Sequence, residues 1–167
     1  MAGAADGRGL MPGLGGAGTA PVVTGPARAL AWRPSWIALA LVAAALLTHV
    51  AIWGAGAPLG RAPWGGLAIA VLGVAWMAWA GWHLRAAGRL RFVDDGPYRF
   101  GRNPMHLGTA VAVLGLAAML GAPSLVLAAA AFAAIVQRVH IPHEEAQLRA
   151  AFGGWYSDYA ASVRRWF

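Results

Sequence analysis

The chain alternates between long uncharged stretches and short polar segments. Trp36 to about Trp53 is the first uncharged run, with His49 inside it. At ~1.5 Å of helical rise per residue, about eighteen residues nearly cross a ~30 Å hydrocarbon core. Trp64 to about Trp82 is the second run. Trp64, Trp76, Trp79 and Trp82 crowd its ends, as interfacial anchors do. The third run, Asn103 to Gln137, is too long for one ordinary span. Gly121-Ala122-Pro123-Ser124 in its middle is a strong break signal. The pattern therefore predicts a helical hairpin whose arms are short for a full crossing. Gly108, Ala112 and Gly115 fall on one face of the first arm, where small residues let two backbones approach closely. After residue 139 the rhythm changes. Leu148, Phe152, Trp155, Tyr156, Tyr159, Val163 and Trp166 recur as in a helix lying in the membrane interface, with Arg149, Arg164 and Arg165 directed at headgroups. The expected fold class is all-α: a polytopic membrane helical protein with about four transmembrane segments (about 36–54, 64–82, 105–120 and 123–139). The last two form a C-terminal helical hairpin, and an amphipathic interfacial helix follows.

Composition supports a membrane setting. Apolar residues make up 59% of the chain and charged ones 11%, against roughly 25% charged in soluble proteins. Residues 1–30 hold few large side chains and are expected to form a disordered tail, leaving residues 31–167 as a single membrane domain. A cleaved signal peptide fits less well. The first apolar run begins only after Arg28 and Arg33 and is longer than a signal core. The net charge of +7 comes entirely from arginine. Such a balance can indicate nucleic acid. Here the arginines sit beside apolar runs, so membrane lipids are the expected partner and nucleic acid is not. The absence of cysteine excludes disulfides, thiolate metal sites and a cysteine nucleophile.

Arginine distribution sets the expected topology. The N-terminal tail, the 83–102 segment and the C-terminus are arginine-rich, whereas the 54–63 loop has only Arg61 and the 121–123 turn has none. Both termini are then cytoplasmic, fitting a bacterial inner membrane. The 83–102 segment and the tail after 139 share one membrane face, so their polar residues can meet.

Several of those residues have both a plain and a chemical reading. Asn103 suits a helix N-cap and Pro104 the first helical position, and Arg102 can snorkel to headgroups. The same helix start beside arginines is also suited to a carboxylate or phosphate. His106, one turn in, fits a core or interfacial role as well as a ligand contact. Glu144 and Glu145 follow Pro142 and can simply favour a helix N-terminus. An inward-facing carboxylate there can instead take ribose hydroxyls or balance a cation. His140 and His143 flank Ile141-Pro142 without the helical spacing of a zinc site, so no metal is expected.

Taken together, these stretches resemble the isoprenylcysteine carboxyl methyltransferase family and the related phospholipid methyltransferases. The resemblance rests on Gly96-Pro97-Tyr98-Arg99, then Arg102-Asn103-Pro104-Met105-His106 opening a hydrophobic hairpin. Glu144-Glu145, Leu148, Phe152-Gly153, Tyr156, Tyr159 and Val163-Arg164-Arg165-Trp166 follow. It covers roughly residues 64–167. Asn103 stands where many members have histidine, and His106 where tyrosine is usual.

The resemblance implies an integral-membrane methyltransferase that uses S-adenosylmethionine. It assigns Tyr98, Arg102, Asn103, Pro104, His106, Glu144 and Glu145 to cofactor binding, with Arg102 and Glu145 as the catalytic pair. Arg102 and the Asn103–Pro104 helix start suit the cofactor carboxylate. Glu144 or Glu145 suits the ribose or the cationic groups. Tyr98, His106 and the tail aromatics suit the adenine. The methyl acceptor is lipophilic or small, either isoprenylcysteine-carboxylate-like or phospholipid-like. Two other readings compete: a non-catalytic membrane protein that keeps the fold, and a sterol-reductase-like enzyme that would bind NADPH.

Overall fold

A computed structural model describes residues 33–54, 62–87 and 92–167. The expected disordered tail at residues 1–30 lies outside this range, as do Arg61, Arg89 and Arg91. Among the described residues the regular elements are all helical, joined by short irregular segments. Helix α1 spans Arg33–Trp53 and α2 spans Pro63–Ala86. A single 3-10 turn covers Gly96–Arg99. Then come α3 (Pro104–Leu120) and α4 (Pro123–Ile135). A π-helical turn at Val136–His140 leads into α5 (Ile141–Phe152), and α6 spans Gly154–Ser162.

Three helices among the described residues are long and apolar enough to cross a membrane: 36–53, 63–86, and the continuous helix from 123 to 152. Helix α3 is apolar but shorter, at 17 residues. The hairpin turn forms as expected. Gly121 adopts the left-handed conformation (φ 61°) that glycine tolerates best, and Pro123 opens α4. The second arm differs from expectation, because it does not stop near 139. Pro142 has no N–H to give the carbonyl one turn back. The π-helical turn just before it absorbs that defect, so the helix continues into α5. Thirty residues at ~1.5 Å each reach ~45 Å, well past a ~30 Å core. The helix is thus longer than such a core is thick, and its polar residues Glu144, Glu145 and Arg149 lie in its last turns.

The helices lie in a row. Helix α2 packs on α3, α3 on α4, and α4 on α1. The α2–α3 seam is the closest. A Cβ on Gly66, Gly73, Gly108 or Gly115 would run into the backbone of the facing helix. The small-residue face read on α3 is thus the surface that lets these backbones touch. On the other side Ala45, Val113, Ala117, Leu125 and Ala128 form a core between α1, α3 and α4. The Ser124 hydroxyl donates to the Ala45 carbonyl there at 3.0 Å. Little of the row is interior. Only 17% of the α1 window and 11% of α2 are buried. Leu39, Leu47, Ile69, Val71 and Leu72 are exposed, an arrangement suited to lipid rather than water.

Candidate functional site

A cavity of about 220 Å³ opens where the row meets the polar segments. All seven residues singled out from the sequence line it: Tyr98, Arg102, Asn103, Pro104, His106, Glu144 and Glu145. The 92–106 segment and the start of α5 are therefore brought together at one cavity. The cavity walls differ in chemistry. Met77 and Leu84 of α2, Met105 and Thr109 of α3 and Phe132 of α4 make an apolar part. Phe92, Tyr98, Phe152, Tyr156 and Tyr159 surround the polar part.

The aromatic wall is built by the break between α5 and α6. Gly153 has φ 54° and ψ −123°, a backbone conformation that side chains other than glycine's rarely adopt. It bends the tail, so the single tail helix expected from the sequence is two. The bend turns part of the aromatic stripe onto the site. Phe92 packs against Phe152 and Tyr159 with ring centroids 5.2 Å apart in each case, and edge-on against Tyr156 at 6.2 Å. The Tyr159 hydroxyl donates to the Tyr98 carbonyl at 2.8 Å. Burial pushes the Tyr98 and Tyr159 hydroxyls up from their ordinary values, so both stay neutral donors. Burial also raises Tyr156, outweighing the opposing pull of the nearby Arg102 guanidinium.

At the polar centre, Glu145 is only 4% exposed. Arg165 holds it with a two-pronged bond, Nε to Oε1 at 3.0 Å and Nη2 to Oε2 at 2.9 Å. Arg102 Nη1 lies 3.2 Å from Oε1, and Arg149 Nη2 lies 3.7 Å from Oε2. The carboxylate bonds raise the Arg165 pKa. Arg165 and Arg149 were expected to face headgroups. The structure turns both toward Glu145 instead, because a buried carboxylate requires partners. Glu144 points into the cavity, with Oε2 3.8 Å from His106 Nε2, too far for a hydrogen bond.

Asn103 holds the N-cap position of α3, but its side chain makes no cap bond. Its Nδ2 donates instead to the Arg165 carbonyl at 2.9 Å. Two buried polar atoms of the lining have no hydrogen-bond partner among the described residues, Arg102 Nε and His106 Nε2. Buried polar groups are normally satisfied, so such atoms in a cavity wall suit a ligand. Among the described residues no cluster of three or more histidine or acidic side chains is arranged to hold a metal.

The sequence reading missed Phe92, Met77, Leu84, Thr109 and Phe132 as lining, and Arg165 as the main partner of Glu145. Arg165 carried no local signal, since nothing in the spacing of positions 145 and 165 sets them face to face. Phe92 is the sole aromatic in the short charged linker between Arg89 and Asp95, and that was the one available hint.

Residues 62–154 match the family model described as phospholipid methyltransferase. No curated protein and no solved structure matches the chain. The matched region takes in α2, the hairpin, both glutamates and the whole of α5. It covers more than half of the chain, which therefore belongs to the phospholipid methyltransferase family.

Proposed function

Given that membership, we propose that the protein is an integral-membrane methyltransferase that uses S-adenosylmethionine and acts on a lipophilic or small acceptor. The observation that carries this reading is the cavity itself: one wall unsatisfied and cationic, one aromatic and acidic, one apolar. S-adenosylmethionine, when bound, supplies an electrophilic methyl group next to its sulfonium. Its remaining groups match the walls. Arg102 Nε, buried and without a partner, suits a carboxylate at charge-assisted hydrogen-bond range. Glu144 and the faces of Tyr98, Tyr156 and Tyr159 suit the cationic centre and the flat base. Asn103 and Pro104 fix where Arg102 leaves the backbone. His106 Nε2 is a further polar contact on the α3 side.

Methyl transfer is an in-line displacement, so the chain's work is to hold two partners in line and keep water out. Arg102 and Glu145 act as the pair that sets the polar end. Met77, Leu84, Met105 and Phe132 provide an apolar bed for a lipid-borne acceptor, isoprenylcysteine-carboxylate-like or phospholipid-like. The arginine bias of the polar end supports the reading that both termini are cytoplasmic and that the cofactor enters from the aqueous side.

The test is calorimetry on full-length protein in detergent, titrated with S-adenosylhomocysteine. Wild type binds, and Arg102→Ala reduces the affinity by about 10- to 100-fold, the effect of losing a hydrogen bond to a charged group. The folded variant keeps its helical circular dichroism. Binding of NADPH with no binding of S-adenosylhomocysteine would identify a reductase-like enzyme instead. Binding of neither would favour a non-catalytic protein.

A further inference from the structure

The C-terminal segment Val163–Phe167 leaves α6 in extended conformation at Val163 and crosses the start of α3. Four contacts fix that crossing. The Arg102 N–H donates to the Arg164 carbonyl at 2.9 Å. Asn103 Nδ2 donates to the Arg165 carbonyl at 2.9 Å. The Trp166 indole donates to Gln137 Oε1 at 2.8 Å, and its ring packs on the cluster of Ala38, Phe132, Val136 and Ile141. At Gly101 a Cβ would meet the Trp166 carbonyl, so only glycine lets the segment pass this close. The last residues are thus tied to the Arg102 N–H and the Asn103 side chain and pass closely over Gly101.

From this segment Arg165 reaches Glu145. A guanidinium and a carboxylate pair best fork to fork, through two parallel bonds. Glu145 offers one such face, and Arg165 fills it, touching both oxygens. Arg102 is left with a single edge contact to Glu145 through Nη1, beside the hydrogen bond that its guanidinium gives the Tyr156 hydroxyl. Its Nε stays buried and unbonded in the cavity wall. Take Arg165 away and the fork of Glu145 is vacant. Arg102, already 3.2 Å from Oε1, then swings into it, and its donors leave the cavity.

We infer that Arg165 is a positioning residue: by occupying the fork of Glu145, it keeps Arg102 turned to the cavity for the carboxylate of the bound cofactor. This rests on the cofactor reading above and adds a selective consequence. Arg165 matters for ligands that carry the carboxylate and hardly at all for those that lack it.

The experiment compares two probes on full-length protein in detergent. S-adenosylhomocysteine carries the amino-acid end; 5′-methylthioadenosine shares the nucleoside and thioether but lacks it. Wild type binds the first more tightly. Arg165→Ala lowers the affinity for S-adenosylhomocysteine about tenfold or more and leaves that for 5′-methylthioadenosine within about twofold. Arg165→Lys keeps the charge but fills only one oxygen, so it gives a smaller loss of the same selectivity. If the alanine variant does not fold, the lysine variant carries the test alone. Equal loss for both probes, or no loss for either, overturns the inference. So does equal wild-type affinity for the two probes, which would leave the cofactor reading standing. Wild-type binding of neither probe removes the cofactor reading and this inference with it.

Discussion

The α2–α3 seam and the cluster around Glu145 are both close contacts, but they are made of opposite materials. The seam is backbone against backbone. Gly66, Gly73, Gly108 and Gly115 remove side chains so that two apolar helices can touch where lipid gives no hydrophobic drive. The Glu145 cluster is side chain against side chain. One buried carboxylate gathers Arg102, Arg149 and Arg165 from α3's approach, α5 and the C-terminal segment. The seam joins two long apolar helices and is fixed by shape. The cluster joins Glu145 to arginines from three different segments and is fixed by charge. Shape holds the apolar scaffold together, and charge assembles the site at its polar end.

The largest effect should come from the seam. In Gly115→Leu the new side chain meets the Ala70 backbone and the Gly66 carbonyl, neither of which can rotate away. The expected cost is about 3 kcal/mol or more, at the upper end of overpacking effects. Thermal unfolding in detergent should show a large drop in Tm or no monodisperse protein. Gly81→Ala is the matched control, because its Cβ would meet only the tip of Met105 at 3.9 Å. A Gly115→Leu protein that melts like wild type would show that the two backbones do not touch.

The cluster comes next. Glu145→Gln keeps the shape but leaves Arg102 and Arg165 around a neutral amide. Breaking a buried ion pair by removing one partner costs about 3–5 kcal/mol. Arg165 has a third of its side chain exposed, so water softens the loss toward the lower figure. Circular dichroism melts would measure it. A Tm indistinguishable from wild type would mean that Glu145 does not organise the arginines.

The same division explains what the sequence made legible. Apolar runs, the Gly121–Pro123 break and the small face of α3 are written locally, so the helices, the hairpin and the seam's α3 side could be read directly. The candidate residues were legible because charge is rare in this chain and the arginine bias suggested one face for residues 83–102 and the tail. Three things were not legible. Pro142 looked like a helix start, but a π-helical turn upstream carries the helix through it. Gly153 looked like one residue of a continuous amphipathic helix, but its positive φ divides it. Arg165 looked like a headgroup contact. Its role depends on the path of the last residues over Gly101, a tertiary fact with no periodic trace in sequence.

Arg149 gives the finest test of whether the cluster is one network or a set of separate bonds. It approaches Glu145 from the outside, at 3.7 Å and with 54% of its side chain exposed. Its guanidinium also lies 5.7 Å from the centre of the Tyr156 ring. An i,i+4 pair on a helix whose arginine end is exposed stabilises by only about 0.3–0.5 kcal/mol, and the ring adds about 0.5–1 kcal/mol where the cation is exposed. Arg149→Ala should therefore lower the Tm slightly. The deficit should shrink further in high salt, where the Debye length falls toward ~3 Å at 1 M and exposed charges stop sensing one another. The Glu145→Gln deficit, being buried, should persist in the same buffer. Equal salt sensitivity of the two variants would show that Glu145 is reached by solvent. A loss in Arg149→Ala as large as that in Glu145→Gln would show that the three guanidiniums hold the carboxylate as one unit.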